Sequence, residues 1–183
     1  MKERIVLGSG KLYATTASKG GDGQYAIPEK TSLEKAENLL GWIQGGATLE
    51  YTPSFYTAKD DLGMVSKKYL TEEEATLKSG VMTWNADVLK KLVATGTKTI
   101  DTINKTETLK IGGIANFDNT QYVLRFVHED KMDGNIRITI VGSNEAGFEM
   151  SFAKDKETVI NAEFKALPHD NTGTLVEVEW ETK

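Results

Sequence analysis

In the second half of the chain, apolar and polar residues alternate over one stretch after another. Successive side chains of a strand point to opposite faces, so this period commits the chain to β-structure with one buried face. In Asn135-Ile136-Arg137-Ile138-Thr139-Ile140 the apolar residues take every even position, which predicts a half-buried strand with a wet face. The same phase recurs in Phe148-Glu149-Met150-Ser151-Phe152 and in Val176-Glu177-Val178-Glu179-Trp180-Glu181, so both are expected as strands of the same kind. Trp180 shares parity with Val176 and Val178, which predicts core burial for it. Tyr122, Leu124 and Phe126 form another face, and Met132-Asp133-Gly134-Asn135 supplies the turn of an antiparallel hairpin to the Ile136 strand. Residues 159–167 read as a further strand ended by Pro168, and Asn171-Thr172-Gly173 turns the chain into the last one. Residues 97–111 are rich in Thr and Ile and favour extended structure as well.

One helix is expected, over residues 86–95. Asn85 is its N-cap, Val88, Leu89, Leu92 and Val93 fall on one stripe, Asp87 and Lys90-Lys91 suit the helix dipole, and Gly96 is the stop. Residues 16–38 hold Gly20, Gly21, Gly23 and Pro28 with few apolar anchors, and read as a long loop. A short helix around residues 33–40 is a weaker signal within the same region.

At 183 residues the chain suits one domain, residues 1–183, with one core. Cysteine is absent, so disulfides, thiolate metal sites and a cysteine nucleophile are excluded. The N-terminal run Ile5-Val6-Leu7 is far shorter than a signal-peptide core, and no stretch approaches the roughly 20 apolar residues that span a bilayer. Synthesis and folding in a cytoplasm, without membrane insertion, are therefore expected. The net charge of −5, with only the isolated basic pairs Lys67-Lys68 and Lys90-Lys91, argues against tight DNA binding.

Residues 48–82 hold two extended stretches, Leu49-Glu50-Tyr51-Thr52-Pro53-Ser54-Phe55 and Ala75-Thr76-Leu77-Lys78-Ser79-Gly80-Val81, joined through Lys59-Asp60-Asp61-Leu62-Gly63. Paired as a hairpin, they would form an arm whose bases reach the core and whose distal part, residues 56–74, projects away. An isolated two-stranded hairpin is marginal in water, so the arm needs a neighbour. Lys59, Asp60, Asp61, Leu62, Met64, Val65, Tyr69 and Leu70 are the candidate interface residues, because a partner surface could bury the apolar members. Composition leaves a second fate open, in which the arm folds back on its own sheet.

Candidate chemical sites give little. Adjacent residues of a strand cannot all converge, so His128-Glu129-Asp130 reads as the end of a core face, with His128 in phase with Phe126. His169-Asp170 follows a proline in a turn, where a polar cap is the usual role. Gly8-Ser9-Gly10 and Gly45-Gly46 lack the strand-to-helix context of a phosphate loop and read as turns or bulges. Trp42, Trp84 and Trp180 could form a sugar-stacking platform, although such a module would normally carry a secretion signal. Glu72-Glu73-Glu74 reads as a solvated strand end or turn. No nucleophile–base pair is apparent, so neither catalysis nor a cofactor is expected.

Several strings together resemble a known family. They are Arg4-Ile5-Val6-Leu7-Gly8-Ser9-Gly10-Lys11-Leu12-Tyr13, Gly45-Gly46-Ala47-Thr48-Leu49-Glu50-Tyr51, Lys59-Asp60-Asp61-Leu62-Gly63 and Leu70-Thr71-Glu72-Glu73-Glu74-Ala75. Further along come Gly147-Phe148, Phe152-Ala153-Lys154-Asp155-Lys156-Glu157-Thr158-Val159-Ile160 and Pro168-His169-Asp170-Asn171-Thr172-Gly173-Thr174-Leu175. In this order they resemble the major tail tube proteins of tailed bacteriophages, of the kind found in phages of Gram-positive bacteria. The resemblance spans nearly the whole chain except residues 16–38. It implies a mostly β fold, a tail-tube-like β-sandwich or barrel with one flanking helix and a long projecting hairpin. It also implies homo-hexameric rings that stack into a hollow tube, with the arm bridging to the adjacent ring and Glu72, Glu73 and Glu74 lining or rimming the channel. The partners implied are the tape measure protein, the tail terminator and the distal tail or baseplate proteins, with double-stranded DNA passing transiently and the subunit residing in the virion tail. A tube protein of a contractile tail-like particle, a bacteriocin or secretion tube, would share these features.

Overall fold

The alternating stretches pair with one another into a mostly β, antiparallel architecture. The computed structural model describes residues 6–182. Residues 1–5, which include Arg4 and Ile5 of the N-terminal run, and residue 183 lie outside the described residues. The strands are β1 (Lys11–Thr16), β2 (Ser18–Lys19), β3 (Tyr25–Ala26), β4 (Ile43–Lys59), β5 (Ser66–Val81), β6 (Gly96–Asp101), β7 (Thr106–Ile111), β8 (Tyr122–His128), β9 (Ile136–Asn144), β10 (Ile160–Ala166) and β11 (Val176–Trp180). Two short helices accompany them, α1 (Lys30–Leu33) and α2 (Ala86–Lys91).

Seven strands form one sheet in the order β1-β8-β9-β10-β5-β4, with β11 attached to β9. The β8–β9 hairpin has the expected register, Phe126 opposite Ile138 and Leu124 opposite Ile140. Instead of two separate sheets of a sandwich, one continuous sheet carries the core. Leu12 and Ala14 of β1, Leu124 and Phe126 of β8, and Ile140 of β9 share a single apolar cluster with Ile160, Ala162 and Phe164 of β10, Leu77 and Val81 of β5, and Val88, Leu89 and Leu92 around α2. Asn85 caps α2 as expected, its Oδ1 accepting from the Asp87 and Val88 amides at 3.0 Å each. The helix ends at Lys91, earlier than the 86–95 expected, and Gly96 opens β6. Its role is close packing, since a Cβ there would lie 2.4 Å from a Val93 methyl.

Three expectations are corrected. Phe148-Glu149-Met150-Ser151-Phe152 is not a strand. The strands it follows and precedes offer it no edge: β10 lies between β9 and β5, while β9 has β8 on one side and both β10 and β11 on the other. Asn144 ends β9 there, its side-chain amide donating to the Leu92 and Gly147 carbonyls at 2.8 and 2.7 Å. Nor is the supposed wet face of β9 wet, because Arg137 and Thr139 are buried. What covers it is the region read as a loop, residues 16–38, which holds the β2–β3 ribbon, α1 and a 3-10 turn at Ala36–Asn38. The weaker helix signal at 33–40 is thus displaced toward α1. Leu33, fully buried with Tyr13, Val123, Val127 and Val141, anchors the region, a burial that contributes about 2 kcal/mol. Third, Trp180 is 52% exposed, because β11 lies at the sheet's margin, where no second layer covers it.

A clasp of charges holds this cover in place. The Glu34 carboxylate accepts from Arg137 Nε at 2.6 Å and from Arg125 Nη1 at 3.4 Å, and Arg137 also reaches Glu181. Lys30 pairs with Glu179. Burial alone would lower the Arg137 pKa, but its hydrogen bonds to Glu34 and Glu181 outweigh that and raise it. The bond from Arg137 holds the Glu181 carboxyl below its ordinary value of 4.5. Glu34→Ala leaves two buried guanidiniums without their shared partner and should cost about 3 kcal/mol in urea unfolding; a change under 1 kcal/mol would show that the clasp is dispensable. A lowered carboxylate stabilises the fold above its unfolded pKa and loses that contribution as pH falls through the folded one. The stability gap between wild type and Glu181→Gln should therefore be full above pH 4.5 and close below it.

Candidate assembly surface

The arm is a paired hairpin along its whole length. β4 and β5 run antiparallel from Ile43 opposite Val81 to Lys59 opposite Ser66, with irregularities between Gln44 and Ala47 and between Ser54 and Phe55. The first is the expected bulge at Gly45-Gly46, both residues at positive φ, with the Ser79 hydroxyl donating to the Gly46 carbonyl at 3.1 Å. The second leaves Thr71 unpaired, and its hydroxyl bonds the Ser54 carbonyl at 3.1 Å. Pro53 sits within β4, which is tolerated because β4 is an edge strand. Asp60 organises the tip. Its backbone N–H donates to the Val65 carbonyl at 3.1 Å, its carbonyl accepts from Gly63 at 3.0 Å, and its Oδ1 accepts from the Val65 amide at 2.7 Å.

Pairing parity gives the arm two faces. Leu49, Tyr51, Pro53 and Phe55 share one face with Leu77, Ala75, Glu73 and Leu70. Leu77 and Ala75 belong to the core, so this inner face continues the core surface outward. Its exposed apolar members are Tyr51, Phe55 and Leu70. The opposite, outer face carries Glu50, Ser54 and Tyr56 with Thr76, Glu72 and Tyr69. Lys68 Nζ lies 3.9 Å over the Phe55 ring and Lys67 Nζ 4.9 Å over Tyr69, so a charge screens an aromatic on each face.

The candidate interface residues Lys59, Asp60, Asp61, Leu62, Met64, Val65, Tyr69 and Leu70 are all exposed on this one hairpin. Leu62 and Met64 are 84% and 82% exposed, so the arm does not fold back over its tip. Glu72, Glu73 and Glu74 lie inside β5, not at a strand end, and alternate in direction. Glu73 is on the inner face and takes a hydrogen bond from the Tyr51 hydroxyl, while Glu74, on the outer face, pairs with Lys165 at 2.7 Å. Parity within the hairpin could have added Tyr51, Phe55 and Tyr56 to the candidates. A second exposed apolar group, Ile100 and Ile103 on the β6–β7 hairpin with Ile114 and Phe117 beyond it, carries no comparable period.

The sheet forks where the arm leaves it. β10 pairs β5 as far as Lys165 opposite Thr76, and pairs β9 from Phe164 to Ala166. The chain then detours through residues 167–175 and resumes along the same edge of β9 as β11, Val176 opposite Ile140 to Trp180 opposite Ile136. Among the described residues, residues 66–75 of β5 pair only with β4, and β11 pairs only with β9. The crotch between them is a groove of about 470 Å³ lined by Leu49, Tyr51, Glu73, Leu175, Val176 and Val178, among others.

The remaining candidates have structural partners. His128 ends β8, buried, with Nδ1 2.9 Å from the Ser9 carbonyl. Of the pair read as a polar cap, His169 is buried against Glu177. That task falls to Asp170, which accepts from the Thr172 and Thr174 amides at 2.9 Å each, and whose pKa is lowered by its hydrogen bonds to Thr174 and Thr172. Trp42 and Trp180 are exposed, but Trp42 precedes β4 at the base of the arm while Trp180 pairs with Ile136 at the far end of β9. Trp84 packs against the core, its ring edge-on to Phe152. These positions do not form one platform. Among the described residues no three His, Asp or Glu side chains gather as a metal site, and no helix is long and apolar enough to cross a membrane.

No protein-family model matches the chain, and a search of curated proteins finds no match. Asp60→Ala removes the side-chain acceptor of the Val65 amide, a bond worth about 1 kcal/mol. Hydrogen exchange at Val65 should speed up about fivefold, with residues 75–81 unchanged; unaltered exchange at Val65 would mean that Asp60 does not organise the tip.

Proposed function

We propose that this chain is the structural subunit of a phage tail tube, without enzymatic activity, forming hexameric rings that stack into a hollow tube. One observation carries the reading: the core-facing side of the sheet extends onto a hairpin whose Tyr51, Phe55, Leu70, Leu62, Met64 and Val65 remain exposed in the single chain. Long open edges with apolar faces invite association, and β4 offers 17 residues of such an edge. Identical neighbours satisfy it by head-to-tail contacts, which close into rings. Tape measure, terminator and distal tail or baseplate proteins are the partners at the ends of the tube, and the subunit resides in the virion tail.

In this reading the outer face of β4, β5 and β10 lines the channel. Glu50, Glu72, Glu74 and Glu163 stand there against Lys67, Lys78 and Lys165, a wall that stays net negative. DNA phosphates within the roughly 8–10 Å reach of Coulomb forces at physiological salt are repelled, so DNA passes without adhering. Glu73, turned inward, takes no part in that wall.

Removing residues 57–69 should leave a folded monomer, because the residues that β4 and β5 give to the core, Ile43 and Ala47 with Ala75, Leu77 and Val81, lie outside the deleted stretch. Electron microscopy should show no tubes from it, and normal tubes would contradict the arm's role. Assembled wild-type tubes should bind double-stranded DNA negligibly at physiological salt. Tight binding that grows with DNA length would remove the slip-through account.

A further inference from the structure

The fork in the sheet is a vacancy for a strand. Had β10 continued straight, it would have kept both β9 and β5 as neighbours. Instead the detour through residues 167–175 hands the β9 edge to β11, and β5 diverges with β4 alone. β11 therefore offers an unpaired backbone edge beside an apolar floor of Leu49, Tyr51, Leu175, Val176 and Val178. The groove runs on past Leu70, Thr71 and Glu72 beneath Pro168 and Gly173. An extended segment that adds to such an edge gains main-chain hydrogen bonds, while alternate side chains fill the pockets below.

We infer that this slot is the receptor for the distal arm of a second copy of the chain. Arm and slot match in charge and in strand chemistry. Among the described residues lining the groove, the charged ones are Glu72 and Glu73. The distal strands of the arm carry Lys59, Lys67 and Lys68, with the acids Asp60 and Asp61 confined to the turn. The arm also brings what the slot lacks. It has, among the described residues, an unpaired β4 edge to meet the β11 edge, and apolar Val65 and Tyr69 to cover the floor. Because arm and slot are different surfaces of one chain, each copy gives an arm and receives one. The contact is heterologous and propagates from subunit to subunit.

This inference deepens the tube reading and depends on it, since the arm must reach another copy. The chain has no cysteine, so introduced thiols react alone. Ser66→Cys on the arm combined with Val178→Cys in the slot, treated with a short bifunctional thiol cross-linker after assembly, should give a ladder of covalent oligomers. Either single variant should give at most dimers, because a single site can only link to its own copy. The pair Val65→Cys with Leu175→Cys tests the same contact should the first pair impair folding. Tubes visible by microscopy without a ladder from either pair would overturn the slot and leave the tube reading standing. Wild-type protein that forms no tubes would overturn both.

Discussion

Strand β5 has neighbours on both edges along residues 76–81 and only β4 along residues 66–75, and this loss of a neighbour organises the molecule. A backbone edge without a partner is stable in water only as part of something larger. Where β5 has two neighbours, its inward residues Leu77 and Val81 are fully buried. Where it has one, the same inward parity presents Glu73 and Leu70 to solvent. The core and the exposed inner side of the arm are one continuous sheet face, divided by where β10 ends.

Several local features blunt that face. Pro53 removes a donor from the long β4 edge, the bulge at Thr71 interrupts the ladder, and Lys67 and Lys68 sit over the exposed aromatics. Edge strands are commonly protected by such devices. Each protects against indiscriminate pairing while leaving the arm's apolar side chains available to a partner of matching shape and charge. At the opposite end of the sheet the solution differs. There the outer face of β8 and β9 is covered from within by residues 25–39, held by Leu33 and by the Glu34 clasp on Arg125 and Arg137.

Much of the sheet was legible because its signals are local. The β8–β9 hairpin, β10 with its Pro168 stop, β11 and the Asn85 cap follow from parity, turn residues and a capping side chain within a few positions of one another. The arm's pairing was legible from two extended stretches and a polar turn. What was not legible depended on distant partners. Phe148-Glu149-Met150-Ser151-Phe152 alternates as well as any strand, but alternation does not create a free edge, and β9 and β10 on either side of it are paired on both of theirs. Trp180 has core parity on a strand with nothing stacked above it. Arg137 and Thr139 look solvent-facing until Glu34, about a hundred positions away, is seen to cover them. The fork was invisible for the same reason, since it exists only in how β10 and β11 share the edge of β9.

The central claim is that identical chains satisfy one another's open edges. Sedimentation velocity of the purified protein across a concentration series addresses it directly. The account predicts that mass shifts from the single chain to rings of six and then to larger stacks as concentration rises. A single 20.1 kDa species persisting at the highest concentration would contradict it.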